Sequence, residues 1–228
     1  MSESWVKPQI LVFDVNETLL NLAGLRPEFV RIFGDDVALK EWFGLLLQYS
    51  LITTVIESYS DFGVLGRAVL QMLSQARGAS LSTEDEDRVL QGMQSLPPHP
   101  EVPEALARLR KSGFRLATLT NSSPSMAQAQ LKNAGLSEFF EDTISVEEVR
   151  RFKPHASVYE NAARSLNVPA SGACLVAAHA WDVLGAMHAG WSAAFLARPG
   201  KVLFPLSTRP AMVATDMNQL ATLMIEKL

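Results

Sequence analysis

The sequence predicts an α/β fold: a doubly wound parallel sheet interrupted by an inserted helical domain. Two observations predict it. Short continuous apolar runs end abruptly in polar residues and alternate with stretches of helical spacing. One long segment, from about Asn21 to about Leu96, breaks that alternation and keeps helical spacing throughout.

The first run, Ile10-Leu11-Val12-Phe13, is rich in β-formers and stops at Asp14. A strand buried on both faces reads this way, and such strands belong to parallel sheets. Arg115 to Leu119, Cys174 to Ala178 and Ser192 to Leu196 repeat the pattern. Between them, helical spacing runs over Pro103 to Lys111, Ser125 to Asn133 and Ala156 to Leu166. Gly113 and Gly135 follow the first two, where a helix commonly ends on a left-handed residue.

In the inserted segment Trp42, Leu45, Leu46, Tyr49 and Ile52 recur at three- and four-residue spacings. Pro97, Pro98 and Pro100 close it, because a proline cluster cannot continue a helix. The domain reading is therefore a core over 1–20 and 97–228 and a helical cap over 21–96. Ligands in open α/β sheets bind outside the carboxyl ends of the strands. An insertion at the end of the first strand would cover that crevice.

Composition narrows the function classes. The chain has 228 residues, 48% hydrophobic, and a formal net charge of -4. No basic run is present, which argues against nucleic acid as a partner. The one cysteine, Cys174, excludes an intramolecular disulfide and a thiolate metal cage, and its apolar neighbours predict a buried thiol. Met1 to Gln9 has no signal pattern, and no apolar stretch reaches the roughly 20 residues that span a bilayer. The expectation is a cytoplasmic protein without a membrane partner.

Four motifs fall at the carboxyl ends of the predicted strands: Phe13-Asp14-Val15-Asn16-Glu17-Thr18-Leu19, Leu119-Thr120-Asn121-Ser122, Lys153-Pro154, and Ala177-Ala178-His179-Ala180-Trp181-Asp182. A carboxylate becomes an effective nucleophile when desolvated and held in line with a leaving group. Asp14 is the candidate nucleophile, and a lysine a few Å away would keep it ionised. Thr18 and Thr120 are candidate hydroxyl donors, and strand-end threonines are also common as helix caps.

In order and interval these motifs resemble the haloacid dehalogenase superfamily, over nearly the whole chain. The resemblance implies a Rossmann-like core with a cap and a covalent aspartyl intermediate on Asp14. Magnesium-dependent phosphatases of the superfamily carry a second aspartate two residues after the nucleophile and an acid early in the fourth motif. Here those positions hold Asn16 and His179. An amide cannot donate and recover a proton as a carboxyl does, and Mg²⁺ favours carboxylate oxygens over imidazole.

The same residues resemble the metal-independent 2-haloacid dehalogenases, whose fourth motif ends in Trp-Asp, as in Trp181-Asp182, and whose third motif includes a tyrosine, matched by Tyr159. That resemblance implies no cofactor or metal, a short 2-haloalkanoic acid as substrate, and a homodimer. Asp14 displaces halide, then water attacks the Asp14 ester, aided by Asp182 and His179. Lys153 and Tyr159 hold the constellation. Asn121 and Trp181 receive the halide, and the amides near Val15 and Asn16, with Thr120, hold the substrate carboxylate. The chain departs from the family's pattern in three places. Phe43 stands where a cap arginine is usual, Asn16 where a tyrosine is usual, and Ala177 and His179 replace a serine and an asparagine.

His179 can equally cap the following helix, Trp181 can be ordinary core, and Phe43 can be cap packing. Leu45, Leu46, Leu47 and Leu51 can form either a dimer face or the cap core. Two other functions fit less of the pattern: a phosphohydrolase with an altered metal site, and a catalytically silent member that binds an anion or a partner protein.

Overall fold

Ile10–Phe13 forms β1, wholly buried, at the centre of a six-stranded sheet of order β3-β2-β1-β4-β5-β6. The computed structural model describes residues 7–228. The remaining strands are β2 (Arg115–Thr120), β3 (Asp142–Ser145), β4 (Ala173–Ala177), β5 (Ser192–Leu196) and β6 (Met212–Ala214), and every pairing is parallel. The chain runs outward from β1 through β2 to β3, then returns to β4 and continues through β5 to β6. Such a reversal leaves a crevice at the strand ends where the order changes.

Register then places the site. Phe13 pairs with Thr118 of β2 and with Val176 of β4. Asp14 therefore leaves the sheet beside Leu119 and Ala177, and its amide donates to the Val176 carbonyl at 3.0 Å.

Four helices fill the segment inserted after β1: α1 (Arg26–Phe33), α2 (Val37–Val55), α3 (Phe62–Arg77) and α4 (Thr83–Gln94). Their ends are fixed locally. Asp61 caps α3 by accepting from the Gly63 and Val64 amides, and Ser82 with Asp85 forms a capping box on α4. Phe29, Trp42, Leu46, Val69 and Leu70 are buried among these helices. The Trp42 indole donates to the Gly66 carbonyl at 2.9 Å, which locks α2 to α3. Leu46 thus belongs to the interior, whereas Leu51 lies exposed.

The helical segment also grips the loop that carries Lys153. Thr54 Oγ1, in the last turn of α2, accepts from the Phe152 amide at 2.9 Å. The Phe152 ring packs on Tyr59 and Phe62, at centroid distances of 5.0 and 5.9 Å.

Five helices follow: α5 (Val102–Lys111), α6 (Pro124–Asn133), α7 (Ala156–Ser165), α8 (Ala180–His188) and α9 (Met217–Ile225). Gly113 and Gly135, at φ +80° and +69°, close α5 and α6 in the left-handed conformation that glycine adopts without a Cβ clash. Cys174 is buried in β4, and burial pushes its thiol up to about 11.

The four strands and three helices expected from sequence are present, with ends displaced by no more than one residue. Two strands, β3 and β6, were not expected. They are short edge strands: β3 reads Asp-Thr-Ile-Ser and offers no apolar run, and β6 is only three residues long.

Candidate active site

The turn after β1 is built by Val15, whose carbonyl accepts from the Leu19 and Leu20 amides at 2.9 and 3.0 Å. Val15 itself is wholly buried. This tight turn returns Thr18 to Asp14. The Thr18 hydroxyl donates to Asp14 Oδ2 at 2.6 Å and accepts from the Ala178 amide at 3.0 Å, tying the β1 turn to the end of β4. The Arg198 guanidinium donates to the Thr18 carbonyl through Nε and Nη2, at 3.0 and 2.7 Å, and holds the turn from outside.

Lys153 is 1% exposed. Its ammonium donates to Asp14 Oδ1 (2.8 Å), to Asp182 Oδ2 (2.6 Å) and to the Leu119 carbonyl (3.0 Å). The Tyr159 hydroxyl donates to the other oxygen of Asp182 at 2.6 Å. Every donor of the ammonium is used, and both oxygens of Asp182 are occupied. This is what lets a charge rest in so dry a place. Burial by itself pushes Lys153 down, but the two carboxylates overcome it and raise its pKa. Burial likewise pushes Asp14 up, and Lys153 with His179 reverses that, holding the carboxyl well below the ordinary range. Burial and the neighbouring Asp14 leave the Asp182 carboxyl raised despite Lys153. Burial and Asp182 push the Tyr159 hydroxyl well up, so it stays a donor.

His179 opens α8 but does not cap it with its side chain. Its Nδ1 instead lies 3.1 Å from Asp14 Oδ2, and its Nε2 lies 2.8 Å from Glu17 Oε2. Aromatic rings flank the imidazole. Trp181 stacks on it at a centroid distance of 5.1 Å, and Phe43 approaches at 6.4 Å. The Lys153 ammonium lies 5.9 Å from the Trp181 ring centre. Phe43 and Trp181 are thus placed against the site rather than among the helices alone.

Three expected residues sit beside this cluster and serve the loops around it. Asn121 Oδ1 accepts from the Lys153 amide at 3.1 Å, fixing the lysine's backbone. Asn16 donates to Ser122 Oγ at 3.3 Å and accepts from Gln130 at 2.9 Å. The Thr120 hydroxyl accepts from the Ser122 amide at 3.2 Å. Of the two threonines, Thr18 is the one that bonds Asp14.

Sequence reasoning passed over Glu17, Arg198 and Lys201. Glu17 lies inside the first motif but reads as a turn acid. Lys201 donates to Glu17 Oε2 at 2.6 Å from a loop far along the chain. One local signal was present: two cations, Arg198 and Lys201, bracket Pro199-Gly200 just after β5.

The donor set does not suit Mg²⁺. The side chain two residues after Asp14 is an amide committed to Ser122 and Gln130, and both oxygens of Asp14 and of Asp182 already accept from protein donors. Among the described residues, no three His, Cys, Asp or Glu side chains gather at metal-ligand spacing.

The strand-end carboxylate and its buried lysine both lie within residues 8–190, which the sequence profile of haloacid dehalogenase-like hydrolases matches. The chain belongs to the haloacid dehalogenase-like hydrolases. Within that family it is 31% identical over 192 residues to (S)-2-haloacid dehalogenase 1 of Pseudomonas sp. strain CBS-3, covering 83% of this chain and 85% of the relative. It is 29% identical over 217 residues to (S)-2-haloacid dehalogenase 2 of the same strain, covering 94% of each. The solved L-2-haloacid dehalogenase of Xanthobacter autotrophicus with chloropropionic acid covalently bound superposes with a TM-score of 0.89, at 25% identity, over 95% of this chain and 98% of that one. A haloacid dehalogenase fold and a hydrolase of carbon–halide bonds are therefore what the chain resembles in sequence and in structure alike.

Proposed function

We propose that the protein hydrolyses short (S)-2-haloalkanoic acids to (R)-2-hydroxy acids and halide without a metal, through an ester on Asp14. The observation that carries this is Asp14 itself. It is a buried carboxylate kept ionised by Lys153 on one oxygen and oriented by Thr18 on the other. Such a group has shed its water and needs little reorganisation to attack. The names of the relatives supply the substrate class and its handedness.

In the first step an Asp14 oxygen attacks the α-carbon, the carbon–halogen bond breaks, and configuration inverts. The Val15 and Asn16 amides, with Thr120, hold the substrate carboxylate. Asn121, Trp181 and Phe43 form the wall that receives the halide. In the second step water attacks the Asp14 ester carbonyl, which leaves the configuration of the α-carbon untouched. Asp182, with both oxygens engaged by Lys153 and Tyr159, serves chiefly to hold Lys153. His179, beside Asp14, is the group placed to handle the water's proton.

Residues 21–96 act as the cap that keeps bulk water from this crevice, with residues 1–20 and 97–228 as the core. Leu51, Ile52, Val55 and Ile56 at the end of α2 are 39, 37, 81 and 63% exposed, and we assign them to contact with a second copy of the chain. No helix among the described residues is long and apolar enough to cross a membrane, which accords with a cytoplasmic enzyme.

The test is halide release from chloroacetate and from each enantiomer of 2-chloropropionate, with and without EDTA, for the native protein and Asp14→Asn. Release from the (S) enantiomer that survives chelation and vanishes in the variant is expected. Chelator-sensitive phosphate release from phosphomonoesters, with no halide from any substrate, would overturn the reading.

A further inference from the structure

Two parts of the fold place Lys153 at once. The amides of Phe152 and Lys153 are consecutive, and each donates to a side chain from a different part. The Lys153 amide donates to Asn121 Oδ1, just beyond β2, at 3.1 Å. The Phe152 amide donates to Thr54 Oγ1, in the last turn of α2, at 2.9 Å. The Thr54 hydroxyl in turn donates to the Ser50 carbonyl at 2.9 Å, which fixes its rotamer.

The residues before Lys153 repeat the pattern. Arg150 lies 5.2 Å from the centre of the Tyr59 ring, and Arg151 pairs with Glu57 at 3.1 Å. Phe152 is wholly buried against Tyr59 and Phe62. The Arg151–Glu57 pair is exposed and contributes little, so the buried amide and ring carry the grip. Three consecutive residues thus lie against one stretch, 54–62, of the inserted segment, and the fourth is the lysine.

The backbone adds an independent observation. Glu57 and Arg150, one on each side of this contact, have φ 59° and 51°. Among the described non-glycine residues only Glu17 (61°) and Asn167 (54°) share that left-handed region. Side chains resist it, and it persists where the surroundings over-determine the chain.

We propose that Thr54 is a positioning residue through which the inserted helices set Lys153 on Asp14, so that the nucleophile is armed only when α2 is seated. This rests on the dehalogenase reading above and deepens it at the first chemical step.

The electrostatics give the consequence. The Lys153 ammonium meets Asp14 on one oxygen, while Thr18 and His179 meet the other. Behind them stand Glu17, on the imidazole, and Asp182 with Tyr159, on the ammonium. Burial pushes the Asp14 carboxyl up, and Lys153 leads the groups that reverse it. A displaced 152–153 backbone carries the ammonium off Oδ1, and burial then gains. The carboxyl holds its proton to higher pH and is lost as a nucleophile. A segment that completes a catalytic constellation on closing works in this way.

The test compares Thr54→Val, which keeps the shape but strands the buried Phe152 amide, with Thr54→Ser, which keeps the acceptor. Rapid-quench halide release should show ester formation slowed about 10- to 100-fold in Thr54→Val, the scale of a misplacement of roughly 1 Å. KM should stay near the native value, because Thr54 lies behind the lysine loop and not against the substrate. The acid limb of the halide burst should move to higher pH in Thr54→Val and return in Thr54→Ser. Hydrogen exchange on the native protein adds a readout without turnover: residues 54–62 and 150–153 should open together, with equal protection.

Should Thr54→Val fail to fold, Phe152→Leu loosens the same grip and should give a smaller change of the same sign. A native burst rate in a folded variant, a slowed burst with its acid limb in place, or Thr54→Ser no better than Thr54→Val would each sink the proposal. Separate opening of the two segments would do so as well. A native protein that releases no halide, with the two segments still opening together, would instead sink the dehalogenase reading beneath it.

Discussion

Gly185 of α8 lies so close to Pro154 that a Cβ on it would sit 2.3 Å from the proline Cβ and 3.0 Å from its Cα. The same Cβ would meet the Tyr159 hydroxyl at 2.7 Å. This glycine therefore lets α8 approach the loop that carries Lys153, and it sets the reach of Tyr159 to Asp182. Backbone cannot yield as a flexible side chain can. Gly185→Ala should cost about 1–3 kcal/mol of stability by overpacking. Activity should fall further than stability, because Lys153 and Tyr159 shift together. Urea unfolding beside halide release would check it; native values for both would remove Gly185 from the account.

Lys153 separates two buried carboxylates. With Lys153→Met, Asp14 and Asp182 lose the cation between them, and removing one partner of a buried pair typically costs about 3–5 kcal/mol. The sign of the pH dependence follows. Without the lysine both carboxyls have folded pKa values raised above their unfolded ones, so the variant loses stability as pH rises through them. Its melting temperature should therefore recover toward the native one in acid. A deficit that is the same at pH 4 and pH 8 would argue against this electrostatic origin.

Thr18 makes two bonds with one hydroxyl, donating to Asp14 and accepting from Ala178. Thr18→Ala leaves a carboxylate oxygen and an amide short of a partner, a loss of about 1.5–3 kcal/mol for a bond to a charged group. Thr18→Ser keeps both bonds and should retain most activity. Rates of halide release for the pair would show it, and equal losses in both would point to packing of the methyl group instead.

By the sequence resemblance Phe43 stands where an arginine is usual in the family, and its ring centre lies 6.4 Å from that of His179. An arginine here would enter a position 4% exposed, beside an imidazole whose pKa Asp14 and Glu17 raise toward the cationic form. Phe43→Arg should therefore lower stability and activity rather than restore a lost contact, whereas Phe43→Leu should be mild. Higher turnover in Phe43→Arg would show that the pocket still accepts the family's arginine.

Much of this was legible in the sequence because the signals were local. Asp14 and His179-to-Asp182 each follow an apolar run at the end of a strongly patterned strand, whereas Lys153 stands just before Pro154 in the loop beyond β3. The edge strands escaped because β3 is polar and β6 has three residues. Glu17 and Lys201 escaped for another reason. Their bond joins residues 184 apart, through a loop without periodicity. The left-handed backbone at Glu17 leaves no mark in composition, since glutamate is an ordinary turn residue by type. Asn16 shows the limit in the opposite direction. Its spacing from Asp14 marks it as a departure from the phosphatase pattern, but only the fold shows its amide spent on Ser122 and Gln130.

His179 supplies the last prediction, one of stability rather than rate. Its folded pKa is raised above the unfolded value of 6.5, after Asp14 and Glu17 overcome burial. A group shifted in that direction contributes stability that is fully present below its unfolded pKa and is lost as pH rises through the folded one. His179→Asn keeps a polar side chain but cannot carry the charge. The variant should therefore be less stable than the native protein at pH 6, and the gap should shrink steadily as pH is raised. Glu17 and Asp14, whose pKa values are lowered, act in the opposite direction, and their contribution is lost only as pH falls into the acid range. The two effects are separable by window. Urea midpoints of native and His179→Asn protein across pH 5 to 10 would test it, and a gap that widens with pH would show that the ring is neutral in the free enzyme.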